Sequence, residues 1–515
     1  MEILNSIFHW IITKRFHQIE LFQRYPHEVQ RELLARLVSD ARDTEWGRKH
    51  GYKSIKSVED FQSRFPVQTY EDVRDQIARM QQGEANVLWP GEVKWFAKSS
   101  GTTSDKSKFI PMTQAAVEEC HLKAGKDMLS IYANNYPEHR IFGGRNFSLA
   151  GSWQQHANGG EADIRVGDLS SILTEHLPVW VELRRTPRKP IALLESFEEK
   201  VERIVQITSQ QDVRSITGAP AWMLVLLKRL LEFTGKNNVL EVWPNLEVFM
   251  HGGVGFGPYR DVYDKLIPSE QMHYLNIYNA SEGFFGIQDK KNSEELLLML
   301  DYGIFYEFIP LAEVGSENPT VLTLHEVELH KKYALVISTN AGLWRYQVGD
   351  VVQFTSLDPY RVVVAGRTKH FINAFGEELM IHNAEEALSI ACEKTKSIVH
   401  EYTAGPVYMS DAGNGSHEWF IEFEESPASP EYFLETLDNA LKSLNSDYEA
   451  KRYKNLTLTP PTLRLLPRGT FYAWMKSRDK VGGQNKVPRL CNDRRFLDSL
   501  HEFCGNTHEY ASFTA

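Results

Sequence analysis

A ten-residue polar stretch, residues 99–108, most strongly limits what this chain can fold into. It reads SSGTTSDKSK and is made of hydroxyl side chains, one glycine, one aspartate and two lysines. With no bulky apolar side chain, it forms neither a core strand nor a stable helix. It predicts a loop whose hydroxyls, backbone N–H groups and lysines bind an oxyanion. The alternative is a flexible polar loop on the surface.

The segments around this loop predict an α/β fold. Residues 93–97 read as a short apolar strand that enters the loop, and residues 113–134 have a helical pattern. In a strand–loop–helix arrangement, the loop amides can converge on a phosphate. Further along, the apolar strand 246–250 ends in a glycine-rich turn, and the strand 274–278 runs into Asn279–Gly283. Strands that alternate with helices predict α/β layers.

The pattern changes after residue 297 to short strands and turns, which predicts an antiparallel, β-barrel-like region. The last third of the chain reads as α+β, with amphipathic helices near 383–394 and 430–445. We therefore expect a large domain over residues 1–367 and a small, mobile α+β domain over residues 368–515.

Composition excludes several classes of function. The chain has 515 residues, a net charge of −11 and no long basic stripe, so we expect no nucleic-acid partner. Its four cysteines lack CxxC spacing, which is typical of reduced thiols in a cytoplasmic protein. The apolar run at residues 7–12 is too short to span a bilayer and predicts an amphipathic helix, with a peripheral membrane contact as the minor alternative. We expect no integral membrane association, and a monomer.

Neither common nucleotide motif is present, since the chain has no GxxxxGK[ST] loop and no strand–GxGxxG–helix unit. Four segments nevertheless follow one another in a distinctive order. They are residues 99–108, Tyr278–Glu282, Tyr346–Asp350 with Gly366-Arg367, and Lys486. This order resembles that of the adenylate-forming enzymes, the superfamily of acyl-CoA ligases, luciferase and peptide-synthetase adenylation domains.

Within that superfamily, the chain most resembles the auxin-responsive acyl-acid amido synthetases, as a bacterial-type member. The closer likeness rests on Trp243-Pro244-Asn245, on Arg345-Tyr346 with Val348–Val352, and on Gln484–Arg489. The resemblance implies a reaction in two steps, with ATP and Mg²⁺ as cofactors. ATP activates a carboxylic acid as an acyl-adenylate, and an amine, usually of an amino acid, then displaces AMP to form an amide.

The resemblance also implies roles for individual residues. The implied phosphate ligands are Ser99, Ser100, Gly101, Thr102, Thr103, Lys106 and Lys108. The implied adenine-binding residues are Gly252, Gly253, Val254, Tyr278, Asn279, Ala280 and Ser281. Glu282 supplies the hard oxygen ligand that Mg²⁺ prefers, and Asp350 and Arg367 bind the ribose. Lys486 is the implied catalytic residue, because a lysine there can bridge the acid carboxylate and the α-phosphate.

Two other functions remain open at this point. The first is a ligase that transfers the acyl group to coenzyme A or a carrier thiol, although the ending Gln484–Arg489 favours the amide-forming type. The second is a non-catalytic nucleotide-binding relative that kept the fold. Residue types alone do not identify the acid, the amine, the general base or the pathway. The candidate bases are His156, His251, His370 and His382.

Overall fold

The computed structural model describes residues 15–99, 108–151, 153–154, 164–194, 196–253, 256–368, 371–372, 377, 379–408, 415–452, 458–478, 486–491, 493–507 and 511–514. The apolar run at residues 7–12 lies outside this described part. The chain divides into two compact units, Met1–Gly253 with Ser269–Val364, and Val254–Pro268 with Ala365–Ala515. The sequence did not indicate that the segment Val254–Pro268 belongs with the second unit.

The first unit contains helices of four to sixteen residues. They are α1 (15–24), α2 (Pro26–Ala41), α3 (Glu45–Lys49), α4 (Val58–Ser63), α5 (Tyr70–Met80), α6 (Lys123–Asn135), α7 (Leu169–His176), α8 (Val179–Arg184), α9 (Lys189–Ala192), α10 (Phe197–Thr208) and α11 (Pro220–Thr234). A π-helical stretch, Ala116–Leu122, leads directly into α6. No helix in the described part of the chain is long and apolar enough to cross a bilayer.

The strands of the first unit form two sheets. They are β1 (Trp95–Ser99), β2 (Lys108–Met112), β3 (Arg145–Ser148), β4 (Trp153–Gln154), β5 (Arg165–Gly167), β6 (Arg185–Thr186), β7 (Val213–Gly218), β8 (Val248–Gly252), β9 (His273–Ala280), β10 (Gly283–Ile287), β11 (Leu296–Leu298), β12 (Ile304–Pro310), β13 (Leu322–Thr323), β14 (Lys332–Thr339), β15 (Tyr346–Leu357) and β16 (Tyr360–Arg367). The last three residues of β16 belong to the second unit.

A twelve-stranded sheet forms the centre of the first unit, in the order β13-β12-β14-β15-β16-β11-β10-β9-β8-β7-β3-β6. The strands β6, β3, β7, β8 and β9 run parallel, as the alternation of strands and helices predicts. The neighbouring pairs β9–β10, β10–β11, β12–β14 and β14–β15 are antiparallel. The antiparallel strands expected to form a barrel-like region therefore continue the same sheet. The predicted α/β fold with a C-terminal domain is confirmed.

A smaller sheet, in the order β2-β1-β5-β4, carries the polar stretch. Strands β1 and β2 form an antiparallel hairpin in which Ser99 is opposite Lys108. A second strand, β2, therefore lies between the polar loop and the helix that follows. The sequence had suggested that the loop leads directly into that helix. The reason is that Ile110 and Met112 are apolar and fully buried, so this segment pairs with β1.

Helix α2 attaches to the antiparallel part of the large sheet. It is the helix that the apolar spacing after residue 28 predicts, and it buries Leu33, Leu37 and Ala41. Gln30 is buried beside them, and its Nε2 donates to the carbonyl oxygens of Leu300 and Ile304 at 2.9 and 3.0 Å. The buried amide is thus paired, which offsets its cost of desolvation.

The second unit has its own helices and sheet. Its helices are α12 (Arg260–Leu266), α13 (Ile381–Thr395), α14 (Pro430–Leu444), α15 (Ser446–Arg452), α16 (Thr470–Ser477) and α17 (Arg495–Thr507). Its strands are β17 (Phe371–Ile372), β18 (Leu379–Met380), β19 (Ile398–Val407), β20 (Ser416–Glu425), β21 (Thr462–Leu466) and β22 (Ala511–Thr514), and the last four form a sheet in that order. Helix α14 begins where Ser429 accepts a hydrogen bond from the Tyr432 amide, with Pro430 as the first helical residue.

A buried carboxylate in this sheet predicts a pH dependence of stability. Burial alone would raise the pKa of Glu418, but hydrogen bonds from His501, Arg464 and Arg494 outweigh it and lower the pKa from 4.5 to about 2. A depressed carboxylate pKa stabilises the folded state above the unfolded pKa, and this contribution is lost as the pH falls from about 4.5 to about 2.

Glu418→Gln is therefore expected to lower the free energy of unfolding at pH 7 by at most about 3 kcal/mol. The variant is also expected to lack the fall in stability that Glu418 causes between about pH 4.5 and 2. Urea unfolding, followed at a series of pH values, measures both effects. Glu435→Gln, an exposed position on α14, is the matched control. Identical pH profiles for Glu418→Gln and the unmodified protein would contradict the assignment.

Candidate active site

The carboxyl ends of two neighbouring parallel strands bring the glycine turn and the Tyr278 segment together. Gly252, the last residue of β8, pairs with Ile277 of β9. A side chain at Gly252 would place its Cβ 2.5 Å from the Ile277 carbonyl oxygen and 3.1 Å from Oδ1 of Asn279. Only glycine therefore allows the two strands this close approach. Gly253 follows with φ +85°, which turns the chain away from the strand.

Tyr278 and Asp350, 72 residues apart in the sequence, meet in this region. The Tyr278 hydroxyl donates to Oδ2 of Asp350 at 2.7 Å, and both side chains are buried. β9 and β15 are separated by three strands in the sheet order. Across a flat sheet, four strand spacings would hold them about 19 Å apart. The sheet must therefore curl here, and the curl joins an implied adenine residue to an implied ribose residue.

Removal of the Tyr278 hydroxyl tests the role of this hydrogen bond. Tyr278→Phe is expected to raise the KM for ATP about tenfold, because a hydrogen bond to a charged carboxylate contributes about 1.5–3 kcal/mol and orients it. Steady-state kinetics with ATP varied, or ATP titration by calorimetry, measures the change. Tyr306→Phe removes another buried tyrosine hydroxyl, which donates to Met299 O at 3.0 Å, and is expected to leave the KM for ATP unchanged. The same KM in both variants would contradict the role of Tyr278.

The turn between β9 and β10 holds Ser281 and Glu282, and both are buried. The turn is tight because Ala280 pairs with Gly283. In the part of the chain that the structure describes, no group of three or more His, Cys, Asp or Glu side chains is arranged to hold a metal ion. The turn thus places one buried carboxylate, that of Glu282, directly after β9.

The polar loop begins and ends on the β1–β2 hairpin. Ser100, Gly101, Thr102, Thr103 and Lys106 lie outside the described residues, as does Val254 of the glycine turn. Of Ser99 only the backbone is described. Lys108 lies with its Nζ 5.8 Å from the ring centre of Tyr70, whose hydroxyl accepts from the Phe109 amide at 2.9 Å. These contacts hold the end of the loop on α5.

The helix that follows the hairpin connects the loop to the glutamate turn. In this helix Cys120 accepts a hydrogen bond from the amide of Phe284 at 3.2 Å, two residues after Glu282. Burial raises the pKa of the Cys120 thiol to about 12, so it stays protonated and neutral at neutral pH. The first unit therefore brings the hairpin, the glutamate turn and the Tyr278–Asp350 pair into one connected arrangement.

The second unit carries the two other predicted residues. Arg367 ends β16, and its side chain lies outside the described part. Lys486 is half-buried and begins the segment 486–491. This segment pairs with β19, since the Ala404 amide donates to Arg489 O at 2.9 Å and the Cys491 amide to Ala404 O at 2.8 Å.

Arg489 follows Lys486 in the second unit, and sequence reasoning did not single it out. It is buried, and its guanidinium binds the carboxylate of Glu401 and the hydroxyl of Tyr259. Its centre also lies 4.7 Å from the ring of Tyr402. In the sequence, Arg489 is marked by its position as the last residue of Gln484–Arg489, a segment that carries the resemblance to the amido synthetases. These contacts fix the chain three residues after Lys486.

The histidines named as candidate bases are scattered. His156 and His370 lie outside the described residues. His251 is buried on β8, and His382 has its Nδ1 2.7 Å from the Ala365 carbonyl oxygen. The Nδ1 that faces this carbonyl oxygen donates to it, and Nε2 of His382 accepts a hydrogen bond from Nδ2 of Asn383 at 3.2 Å.

Comparison with known protein families decides which group this arrangement belongs to. The profile of the GH3 family N-terminal domain matches residues 15–272, half of the chain. The profiles of the GH3 family central and C-terminal domains match residues 297–367 and 382–495. The chain belongs to the GH3 family. This confirms the resemblance predicted from the four segments.

Individual GH3 relatives are distant in sequence and similar in length. The indole-3-acetic acid-amido synthetase GH3.3 of Arabidopsis thaliana is 23% identical, over 96% of this chain and 94% of its own length. The jasmonoyl–L-amino acid synthetase GH3.5 of Oryza sativa subsp. japonica is 24% identical, over 92% and 94%.

Solved structures show the same fold. The GH3.15 acyl acid amido synthetase superposes with a TM-score of 0.79 at 16% identity, over 97% of both chains. A 2-hydroxyisobutyryl-CoA ligase in the postadenylation state superposes with a TM-score of 0.59 at 13% identity, over 93% of this chain and 92% of its own. The GH3 fold of this chain is thus the fold of adenylate-forming enzymes.

Proposed function

We propose that this GH3 protein is an acyl-acid amido synthetase that uses ATP to join a carboxylic acid to an amine, expected to be an amino acid. The observation that carries the proposal is the hydrogen bond between Tyr278 and Asp350 beside the close approach at Gly252. It unites the implied adenine and ribose residues in a buried setting. The family profiles extend over Gly252 and Asp350, with Tyr278 between two of the matched ranges, and the related GH3 enzymes are named for amide synthesis.

The first half-reaction makes an acyl-adenylate. A carboxylate oxygen of the acid attacks the α-phosphorus of ATP, the bond from that phosphorus to the oxygen bridging to the β-phosphate breaks, and pyrophosphate leaves. Two anions meet in this step, so positive charge and hydrogen-bond donors must be in place beforehand. The loop 99–108 supplies hydroxyls, amides and lysines for the phosphates, and Lys486 bridges the acid carboxylate and the α-phosphate. Asp350 and Arg367 orient the ribose.

The proposed metal is Mg²⁺ bound to the nucleotide, with Glu282 as its protein ligand. A buried carboxylate at the β9–β10 turn fits this role, because Mg²⁺ in nucleotide sites commonly takes one or two carboxylates besides phosphate oxygens and water. When bound, the ion neutralises phosphate charge. The Ser281–Glu282 turn contributes by holding its carboxylate in one place.

The second half-reaction forms the amide. The nitrogen lone pair of the amine attacks the acyl carbon, the bond from that carbon to the phosphate oxygen breaks, AMP leaves, and the proton on nitrogen passes to a base. In this proposal, the large domain, residues 1–367, binds ATP and the acid. Residues 368–515 carry Lys486 and rotate between the two half-reactions.

An exchange assay tests the proposal. The protein, ATP, Mg²⁺, labelled pyrophosphate and a panel of carboxylic acids are incubated, and acid-dependent return of label to ATP is expected. With the best acid, amino acids and coenzyme A are then supplied separately, and amide is expected only with amino acids. Thioester formation would favour the acyl-CoA ligase instead. No exchange together with no thermal stabilisation by ATP and Mg²⁺ would indicate a non-catalytic relative.

The cysteines agree with the expected cytoplasmic location. All four, Cys120, Cys392, Cys491 and Cys504, are free thiols, as is usual in a reducing compartment. Location and the expected monomeric state remain predictions.

A further inference from the structure

A short helix at the edge of the first unit exposes an apolar surface. Helix α8 has no buried residue. Val179 is 78% exposed, Leu183 56% and Trp180 37%. These are three of the twelve exposed large apolar side chains in the described part of the chain, and Val179 is the most exposed of them. A helix of a globular protein normally buries its apolar side chains. The exposed apolar side chains of α8 therefore form a surface that a partner outside this chain can contact.

A cavity of about 490 Å³ lies directly beside this helix. It is lined by Gly143, Gly144, Arg145, Leu183, Arg184, Gln211 and Asp212. These residues lie at or just before the amino ends of β3, β6 and β7. Leu183 and Arg184 belong to both the helix and the cavity. The apolar surface and the cavity are therefore continuous, and we call them together the α8 surface.

The α8 surface is positively charged. The side chain of Arg184 lines the cavity and forms no ion pair or hydrogen bond with the described residues. Asp212, the one carboxylate in the lining, is neutralised by Arg214 at 2.8 Å. Arg145 is held in place because it donates to the Leu183 carbonyl oxygen. An anion entering the cavity would meet a free guanidinium and no unpaired carboxylate.

Arg185 adds a buried group that lacks partners. It is only 2% exposed, and its Nε donates to Oε2 of Glu182 at 2.9 Å. Its Nη1 and Nη2 are buried without any hydrogen-bond partner. Buried donors normally have partners, so these two are unsatisfied hydrogen-bond donors next to Arg184, while Glu182 balances the charge of Arg185.

Charge counts in the sequence agree with this description. The segments 138–145, 179–189 and 211–214 contain seven lysines and arginines and three carboxylates, while the whole chain has a net charge of −11. A positive region on an acidic protein attracts anionic partners at short range.

We propose that the α8 surface docks the protein on a membrane that contains anionic phospholipids. Val179, Trp180 and Leu183 enter the boundary between head groups and acyl chains, where tryptophan and short apolar helices are stable. Arg184 and its neighbours bind the lipid phosphates, which a planar guanidinium contacts with two parallel hydrogen bonds. A soluble anion would use the arginines but leave the apolar side chains without a role. The proposal does not depend on the reaction proposed above.

Co-sedimentation with vesicles tests this proposal on the full chain. Vesicles of phosphatidylcholine alone are compared with vesicles of phosphatidylcholine and phosphatidylglycerol. Binding is expected only to the second kind, and it is expected to weaken as salt is added. Both the double variant Val179→Ser/Leu183→Ser and the variant Arg184→Glu are expected to lower the partition coefficient about tenfold or more.

Two matched variants control for general changes of the surface. Leu329→Ser removes another exposed apolar side chain, 45% exposed, and Arg203→Glu reverses another exposed cation of the first unit. Both are expected to bind vesicles like the unmodified protein. Every variant is checked for an unchanged melting temperature with and without ATP, so that loss of binding is not loss of fold.

Three outcomes would overturn the proposal. The first is that the unmodified protein does not bind phosphatidylglycerol vesicles at low salt. The second is that the double variant and Arg184→Glu bind as well as their controls. The third is that glycerol 3-phosphate stabilises the unmodified protein but not Arg184→Glu, while the double variant binds vesicles normally. That result would assign the cavity to a soluble phosphate.

Discussion

Lys486→Ala is expected to lower acid-dependent ATP–pyrophosphate exchange by about 10²–10³-fold, which corresponds to about 3–4 kcal/mol of transition-state stabilisation. The reason is electrostatic. The acid carboxylate and the α-phosphate repel each other as they approach, and the proposed role of the Lys486 ammonium group is to offset that repulsion. The KM for ATP is expected to change little, since the loop 99–108 and Asp350 are the proposed ligands of the nucleotide.

The structure explains why this lysine can be positioned accurately. Pro488, Arg489 and Cys491 follow it on a segment that is hydrogen-bonded to β19, with the Thr403 hydroxyl 2.5 Å from Pro488 O. A lysine on an anchored segment loses less freedom when it reaches its target than one on an unattached loop.

Exchange kinetics with the best acid of the panel measure the effect. Lys394→Ala is the matched control, because Lys394 is an exposed lysine of the same unit, near the end of α13. Full exchange by Lys486→Ala would show that another group carries the charge. An equal loss in both lysine variants would show a general effect of removing a cation.

Glu307→Ala is expected to destabilise the first unit by about 3–5 kcal/mol. Glu307 is fully buried and forms an ion pair with Arg345, Nε to Oε1 at 3.1 Å, with both side chains almost inaccessible. Gln62 donates to the same carboxylate at 3.0 Å. Burial raises the pKa of Glu307, which Arg345 counteracts. Removing the carboxylate leaves the Arg345 charge buried without its partner.

This ion pair also supports the candidate site. Arg345 directly precedes β15, the strand that carries Asp350, and has a φ of +44° that few residues other than glycine adopt. Its Nη1 donates to the carbonyl oxygens of Gln62 and Phe65 at 2.8 and 2.6 Å. The guanidinium thus holds the start of β15 against the helical N-terminal segment. A weaker affinity for ATP is expected in Glu307→Ala at temperatures where the variant is still folded.

Chemical unfolding, followed by tryptophan fluorescence, measures the loss of stability. Glu202→Ala removes an exposed carboxylate that is paired with Arg229 at 2.5 Å, and it is expected to change the stability little, because exposed ion pairs are screened by solvent. A double variant, Glu307→Leu/Arg345→Met, is expected to recover part of the stability, because well-packed apolar side chains can replace a buried ion pair. A small effect of Glu307→Ala would mean that water replaces the carboxylate.

Local patterns were sufficient for much of the fold. The apolar spacing after residue 28 identified α2, and Ser429-Pro430 identified the start of α14, because capping and helical periodicity depend on neighbours in the sequence. The alternation of strands and helices identified the parallel half of the large sheet. The β2 strand was missed, because the apolar residues after the polar loop pair with β1 only once the hairpin has closed.

The residues of the candidate site were named from motifs, but their relations were not. Tyr278 and Asp350 were given separate roles, and their hydrogen bond follows from the curl of a sheet in which three strands separate β9 and β15. Arg489 was noted only as the last residue of the segment Gln484–Arg489, which resembles the amido synthetases. Its contacts with Glu401 and Tyr259 depend on the inclusion of Val254–Pro268 in the second unit. Periodicity cannot report such long-range contacts.

The amino-acid sequence by itself determined the family, the α/β class and the order of the segments proposed to bind the nucleotide, because those properties depend on residue types and short spacings. The tertiary structure alone decided three other matters. It showed that Gly252 allows two strands to approach, that Tyr278 reaches Asp350, and that α8 leaves Val179 and Leu183 exposed beside Arg184. The first two are distances between residues far apart in sequence, and the third depends on what the rest of the chain leaves uncovered, so only the packed fold sets these quantities.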